Sequence, residues 1–284
     1  MSVPPLYPVQ YQALVTAALL EDLGRAGDLT SDACVPETAR ARAILRARRT
    51  GIVAGLAPAL SAFTTLDAGL SVEIAAPDGS VLRAGDTLAV IAGAARPILS
   101  AERTALNLLG RLCGIASETA TLVEAIKGTG AHIVCTRKTT PGLRALEKYA
   151  VRIGGGSNHR FGLDDAVLIK DNHLVAAGGL KAAVTRARAH VGHMVKIEVE
   201  VDTLAQLDEA LDLPVDAVLL DNMDPPTLRE AVRRVNGRLI TEASGGMTPD
   251  KVRAVAETGV TLISLGWLTH SVTNFDVGLD FEPA

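Results

Sequence analysis

Ala166-Val167-Leu168-Ile169-Lys170-Asp171-Asn172-His173 is a short apolar run that breaks off abruptly into charge. Similar runs occur at Ile133–Cys135, Lys196–Val199, Ala217–Leu220, Leu239–Ala243 and Leu262–Leu265, with helical segments between them. Short apolar strands alternating with helices predict a parallel sheet. The residues just past the strands are Thr136-Arg137-Lys138, Lys170-Asp171-Asn172, Glu200, Asp221-Asn222, Ser244-Gly245-Gly246 and Gly266. Each run therefore ends in polar, charged or glycine residues. In a parallel β/α barrel such ends meet at one mouth, so positions far apart in sequence become neighbours. An open doubly wound sheet also collects its ligand at strand ends, but along a line. The pattern favours the barrel, incomplete, with six or seven strands.

The region before Gly130 follows a different grammar. Tyr11–Leu23 carries apolar residues at helical spacing and Gly24 follows as a C-cap; Gly24–Cys34 is expected to be loop. Arg42–Val53, Ser71–Ala75 and Val81–Ala92 are expected strands, divided by Thr50-Gly51, Pro77-Asp78-Gly79 and Ala84-Gly85-Asp86. Ser100 opens a long helix that runs to about Lys127, where Gly128 and Gly130 stop it. The expected organisation is a small α+β open-faced sandwich over residues 1–112, joined by a tail at 272–284, and a barrel over 113–271.

Composition narrows the function. The chain has 284 residues, a net charge of −4 and only 3% aromatics, which argues against nucleic-acid binding and base stacking. Cys34, Cys113 and Cys135 are too few and too far apart for a disulfide framework or a zinc site, so a reducing cytoplasm is expected. Met1-Ser2-Val3-Pro4-Pro5-Leu6-Tyr7-Pro8 lacks the pattern of a secretory leader, and no stretch has the length and apolarity of a membrane span.

Against this acidic background, Thr136–His173 holds seven Lys/Arg and four Asp/Glu. The segment is either a solvated basic face or a site for a polyanion. Arg137 and Lys138 suit carboxylate or phosphate recognition, or else a structural salt bridge. Gly154-Gly155-Gly156 ahead of His159-Arg160 permits close backbone approach to a ligand, although such runs are also plain turns. Lys170 suits an anion contact or a Schiff-base nucleophile. Glu200 and Asp221 suit Mg²⁺ or sugar hydroxyls, or balance nearby lysines. Ser244, Gly245, Gly246 and Gly266 suit a backbone phosphate cradle or two tight turns. His132, His190, His193 and His270 lack metal-ligand spacing, and the Ser71–Ala92 hairpins lack the tip lysine of a carrier domain.

Taken together, Thr136-Arg137-Lys138-Thr139-Thr140-Pro141-Gly142-Leu143-Arg144, Glu147-Lys148-Tyr149-Ala150-Val151, Gly154-Gly155-Gly156 with Asn158-His159-Arg160, and Leu168–His173 resemble the quinolinate phosphoribosyltransferase family. Glu21-Asp22-Leu23-Gly24, Gly27-Asp28-Leu29-Thr30, Ala101-Glu102-Arg103-Thr104 and Leu219-Leu220-Asp221-Asn222 extend the resemblance over nearly the whole chain. It implies transfer of phosphoribosyl from phosphoribosyl pyrophosphate to quinolinate with loss of CO₂, giving nicotinate mononucleotide for NAD biosynthesis. It implies Mg²⁺ and no organic cofactor.

The resemblance also implies roles. Thr136, Arg137, His159, Arg160 and Lys170 would hold quinolinate, joined by Arg103 from the partner subunit of a homodimer. Lys138, Glu200, Asp221, Ser244, Gly245, Gly246 and Gly266 would hold phosphoribosyl pyrophosphate, with Lys138, Lys170, Glu200 and Asp221 catalytic and Mg²⁺ near Glu200 and Asp221. Cys135 and Trp267 depart from the family pattern, and Trp267 either narrows the phosphate cradle or packs on the barrel wall. A Schiff-base lyase using Lys170 and a non-catalytic anion sensor are the competing readings.

Overall fold

The computed structural model describes residues 3–283; Met1 and Ser2 of the N-terminal segment and Ala284 of the tail lie outside the described residues. The chain forms two compact units. One comprises the residues up to Ala120, Thr140–Gly155 and the residues from Leu268 onward; the other comprises Thr121–Thr139 and Gly156–Trp267.

In the first unit, helix α1 (Gln12–Leu23) ends at Gly24, whose φ of +54° is the left-handed backbone that glycine supplies without strain. A short helix, α2 (Leu29–Cys34), occupies part of the expected loop because the Asp28 side chain accepts from the Ser31 N–H at 3.0 Å and caps it. The sheet runs in the order β12-β1-β5-β3, built from β1 (Arg40–Ala47), β3 (Ser71–Ile74), β5 (Thr87–Ala94) and β12 (Val277–Pro283). The C-terminal tail pairs antiparallel with β1, Val277 opposite Ala47. Two expected strands are broken in two: β2 (Gly51–Ile52) and β4 (Val81–Leu82) form a separate two-stranded pair.

Helix α3 (Leu56–Leu66) has no counterpart among the expected elements. Its start is capped from a distance, since Asp78 accepts from the N–H groups of Gly55 and Leu56 at 3.0 and 3.1 Å. The long helix α4 (Ala95–Ala125) begins five residues before Ser100. Ser100 is not its cap; its hydroxyl donates to Asp28 and to the Arg96 carbonyl.

Helix α5 (Arg144–Ile153) also belongs to this unit, and three contacts explain why. Glu147 is fully buried and accepts from Arg111 Nε and Nη2 of α4 at 3.0 and 2.8 Å and from the Thr140 N–H at 3.0 Å. Arg111 Nη2 also donates to the Thr269 carbonyl at 2.5 Å, so one ion pair links three segments distant in sequence. The Tyr149 hydroxyl donates to Asp78 at 2.7 Å, and a Cβ at Gly154 would stand 2.3 Å from the Ala116 carbonyl oxygen.

The second unit is an incomplete parallel β/α barrel. After β6 (His132–Val134) come β7 (Val167–Ile169), α6 (Asp171–Ala177), α7 (Leu180–His190), β8 (Ile197–Val201), α8 (Leu204–Leu211), β9 (Ala217–Asp221), α9 (Pro225–Val235), β10 (Ile240–Ser244), α10 (Pro249–Ala256) and β11 (Leu262–Ser264). The sheet order is β6-β11-β10-β9-β8-β7. Strands β7 to β11 lie side by side in chain order and the first strand, β6, pairs with the last. Such wrap-around order belongs to a barrel, because a doubly wound sheet reverses at a switch point. A single residue, Ser157, bridges in parallel to Val134 on the free side of β6. Six strands are thus formed, with a vestige of a seventh. Among the described residues no helix is long and apolar enough to cross a membrane.

Removing one partner of a buried ion pair leaves an uncompensated charge, at about 3–5 kcal/mol. Glu147→Ala is therefore expected to destabilise the protein by roughly that amount in denaturant titrations. A loss below about 1 kcal/mol, the level of a surface pair, contradicts the linking role given to Glu147.

Candidate active site at the strand ends

Strand alternation sets which side chains share a face. Glu198 and Glu200 lie two apart on β8, Leu219 and Asp221 on β9, and Glu242 and Ser244 on β10. The register aligns them: Glu200 pairs with Leu219, Leu219 with Glu242, and Asp221 with Ser244. Carboxylates from three adjacent strands therefore gather on one face. Glu200 and Asp221 fall inside their strands rather than just past them, extending β8 to Val201 and β9 to Asp221.

The opposing cations arrive at neighbouring strand ends. Ile169 pairs with Val199, so Lys170, one step beyond β7, meets Glu200 one step along β8 and forms an ion pair with it. The Lys170 N–H donates to His173 Nδ1 at 2.9 Å, which fixes the turn into α6. Thr136 Oγ1 accepts from the Lys138 N–H at 3.0 Å in the turn after β6. A Cβ on Gly266 would stand 2.8 Å from Lys138 Cδ, so glycine there leaves room for the lysine stem. Arg137 and Arg160 are half-buried, and the Nε atom of each is buried with no hydrogen-bond partner. Burial, and then the positive charge of Arg137, push the Arg160 guanidinium below its ordinary value.

At the other end of the ring, Gly245 has φ +85°, and a Cβ there would meet Asn222 Oδ1 at 2.2 Å. Asn222 itself has a positive φ of 52° and its side-chain amide donates to Asp221 at 2.5 Å. The turns after β9 and β10 are thus packed backbone to side chain. Trp267 Nε1 donates to the Met247 carbonyl at 2.9 Å, and Cys135 Sγ donates to Asn158 at 3.3 Å, so both departures from the family pattern have partners within this unit.

Four of the seven cations between Thr136 and His173, namely Arg137, Lys138, Arg160 and Lys170, belong to the barrel unit; Arg144, Lys148 and Arg152 belong to the first. Arg103 lies exposed on α4 in the first unit. Gly154 is a packing contact against α4 rather than a point of ligand approach.

Glu198 and Glu242 are the site residues that sequence reading missed. His159 Nε2 stands 2.9 Å from Glu198 and 3.7 Å from Glu242, and the three residues bring potential ligand atoms within 4.8 Å of one another. Both carboxylates lie inside strands, where they look like polar interruptions of an apolar run; the doubled spacing in Ile197-Glu198-Val199-Glu200 was the available signal. Both Glu242 oxygens are buried without a hydrogen-bond partner. Burial first, and the adjacent Glu198 charge second, push the Glu242 carboxyl up to about 7.

Folded, Glu242 keeps its proton to about pH 7; unfolded, it loses it near 4.5. Between these values the folded state binds more protons, so stability falls as pH rises and stays lower above the window. Glu242→Gln removes this penalty. Its stability relative to the wild type is expected to improve by up to roughly 3 kcal/mol from pH 4 to pH 8, measured by denaturant titration at both. A difference independent of pH contradicts the buried-acid assignment.

Known proteins share this architecture. The family profile for the quinolinate phosphoribosyl transferase N-terminal domain matches residues 28–113, and that for the C-terminal domain matches 115–280. A probable nicotinate-nucleotide pyrophosphorylase [carboxylating] of Bacillus subtilis is 44% identical over 96% of this chain and 93% of that protein. The nicotinate-nucleotide pyrophosphorylase [carboxylating] of Mycobacterium leprae is 42% identical over 94% of this chain and 95% of its own. The crystal structure of NadC from Streptococcus pyogenes superposes with a TM-score of 0.95 at 38% identity, covering 99% of both chains. With both domain profiles matched in order, and whole-chain relatives well above 30% identity, this chain belongs to the quinolinate phosphoribosyltransferase family.

Proposed function

We propose that this protein transfers the phosphoribosyl group of phosphoribosyl pyrophosphate to quinolinate, releasing pyrophosphate and CO₂ and forming nicotinate mononucleotide for NAD biosynthesis. The observation that carries this reading is the pair Arg137 and Arg160, two half-buried guanidinium groups with unpartnered Nε atoms, one of them disfavoured by the charge of the other. Such a pair is relieved by an anion with two negative groups, and a pyridine dicarboxylate supplies both. Thr136 and Lys170 complete that pocket. Lys138, Ser244, Gly245, Gly246 and Gly266 bind the phosphates, and Glu200 and Asp221 face the ribose.

The pyridine nitrogen attacks the anomeric carbon while the bond to pyrophosphate breaks. Positive charge then grows on the ribose, where the carboxylates of Glu200 and Asp221 stabilise it. Holding the two reactants in line accounts for much of the acceleration. The ribosylated ring nitrogen is cationic, so it accepts the electron pair left when the adjacent carboxylate departs as CO₂, and a proton replaces that carboxylate. No organic cofactor is needed for that step.

The hard carboxylate oxygens of Glu200 and Asp221, on adjacent strands, suit Mg²⁺. When bound, Mg²⁺ neutralises charge on the departing pyrophosphate. Cys34, Cys113 and Cys135 form no disulfide with one another, which supports a reducing compartment such as the cytoplasm. Arg103 reaches the site as part of a partner subunit in a homodimer, a role that its exposure on α4 supports.

The decisive assay is release of CO₂ that depends on quinolinate, phosphoribosyl pyrophosphate and Mg²⁺ together; absence of turnover by the wild-type protein sinks the reading. Lys170→Ala is expected to lower kcat/KM by at least about 100-fold. Arg103→Ala mixed with Lys170→Ala under subunit exchange is expected to regain part of the activity. No gain despite demonstrated exchange argues for sites contained within one subunit.

A further inference from the structure

Trp267 departs from the family pattern, and its side chain serves a turn that belongs to another strand. The indole Nε1 donates to the Met247 carbonyl at 2.9 Å, which ties the turn after β11 to the turn after β10. Trp267 is half-buried and Met247 is buried, so the bond is shielded from water. We propose that Trp267 is a positioning residue for phosphate recognition, which fixes the Ser244–Met247 turn in the shape that receives the 5′-phosphate of phosphoribosyl pyrophosphate. This inference rests on the phosphoribosyl pyrophosphate reading above.

Two consecutive glycines make that turn soft. Gly245 has φ +85° and Gly246 φ +54°, backbone that glycine adopts without strain but that leaves the chain many alternatives. The start of the turn is fixed by the end of β9: the Asn222 N–H donates to the Ser244 carbonyl at 3.0 Å, and a Cβ on Gly245 would meet Asn222 Oδ1 at 2.2 Å. Beyond the glycines, the Met247 carbonyl is held by Trp267. A turn ordered at both ends before the ligand arrives loses less freedom on binding than one held at a single end. The indole thus contributes to affinity without touching the ligand.

The place of Trp267 in the chain joins two phosphate contacts. Gly266, the residue before it, leaves room for the Lys138 stem, since a Cβ there would stand 2.8 Å from Lys138 Cδ. Gly266 and Trp267 therefore accommodate the lysine with backbone and steady the glycine turn with a side chain. Packing alone needs only an apolar ring at this position. An N–H aimed at a main-chain oxygen of the turn makes the contact directional.

Steady-state kinetics of Trp267→Phe, which keeps a ring and removes the donor, test the inference. One hydrogen bond between neutral groups supports a change of roughly fivefold, so KM for phosphoribosyl pyrophosphate is expected to rise by that factor while kcat stays within about twofold. Competitive inhibition by ribose 5-phosphate is expected to weaken by the same factor, and the Kd for quinolinate, read by calorimetry, to change by less than about twofold. An unchanged KM, or equal weakening for quinolinate, overturns the inference in favour of packing alone. Tighter binding of ribose 5-phosphate by Trp267→Ala also overturns it, because the indole then narrows the cradle instead of shaping it. The chain has one tryptophan, so its indole N–H gives a single ¹⁵N–¹H NMR resonance, expected to be protected from solvent exchange in the ligand-free wild-type protein. Rapid exchange there overturns the geometry. Wild-type protein without turnover instead sinks the functional reading, while the indole resonance still judges the bond.

Discussion

Charge buried inside a parallel sheet must be matched, protonated or left waiting, and that constraint organises the barrel unit. Glu198, Glu200, Asp221 and Glu242 come from three adjacent strands onto one face. Glu200 is matched by Lys170, and Glu198 lies 2.9 Å from His159 Nε2. Glu242 finds no hydrogen-bond partner and is pushed up to about 7. The cations show the reciprocal arrangement, with Arg137 and Arg160 half-buried and their Nε atoms unmatched. Acid on β8 to β10, with cations after β6, ahead of β7 and at its end, gives the site a fixed polarity before any ligand arrives. Fixed dipoles and charges of this kind need no reorganisation when charge develops in a reaction.

The first unit meets the same constraint differently. Glu147 is fully buried, yet Arg111 and the Thr140 N–H saturate it, and Arg111 Nη2 also donates to the Thr269 carbonyl. The arrangement is closed, with each charge answered inside the unit. A saturated pair of this kind specifies which segments come together. An unsaturated one, like Arg137 with Arg160, leaves recognition to a ligand.

The repeating strand ends made the barrel legible in sequence, because parallel strands impose one polarity on every crossover. Arg137, Lys138, Lys170, Glu200, Asp221 and Ser244 were all readable as residues terminating apolar runs. Helix α3 was not, because its cap, Asp78, lies 22 residues beyond Leu56, whose N–H it accepts. Helix α5 could be read as basic, but its grouping with α4 depends on Arg111, Ala116 and Asp78, contacts that periodicity does not encode. Glu198 and Glu242 were hidden for a related reason. A carboxylate within a strand reads as a solvent-facing residue unless the sheet is known to bury both faces.

Lys170 shows how register decides between chemistries that sequence leaves open. A lysine ending an apolar strand suits either an anion contact or a Schiff base, and the latter needs a neutral amine. Because Ile169 pairs with Val199, the next residue on each strand brings Lys170 against Glu200, and the amine is engaged as a cation. A ligand phosphate or carboxylate can share that cation; a carbonyl seeking a free amine must first break the ion pair. The strand pairing that builds the barrel thus also selects against the lyase. A bare anion sensor fares no better, since it has no use for Glu200 and Asp221 standing beside the cations, whereas a ribose that becomes positively charged in the transition state does.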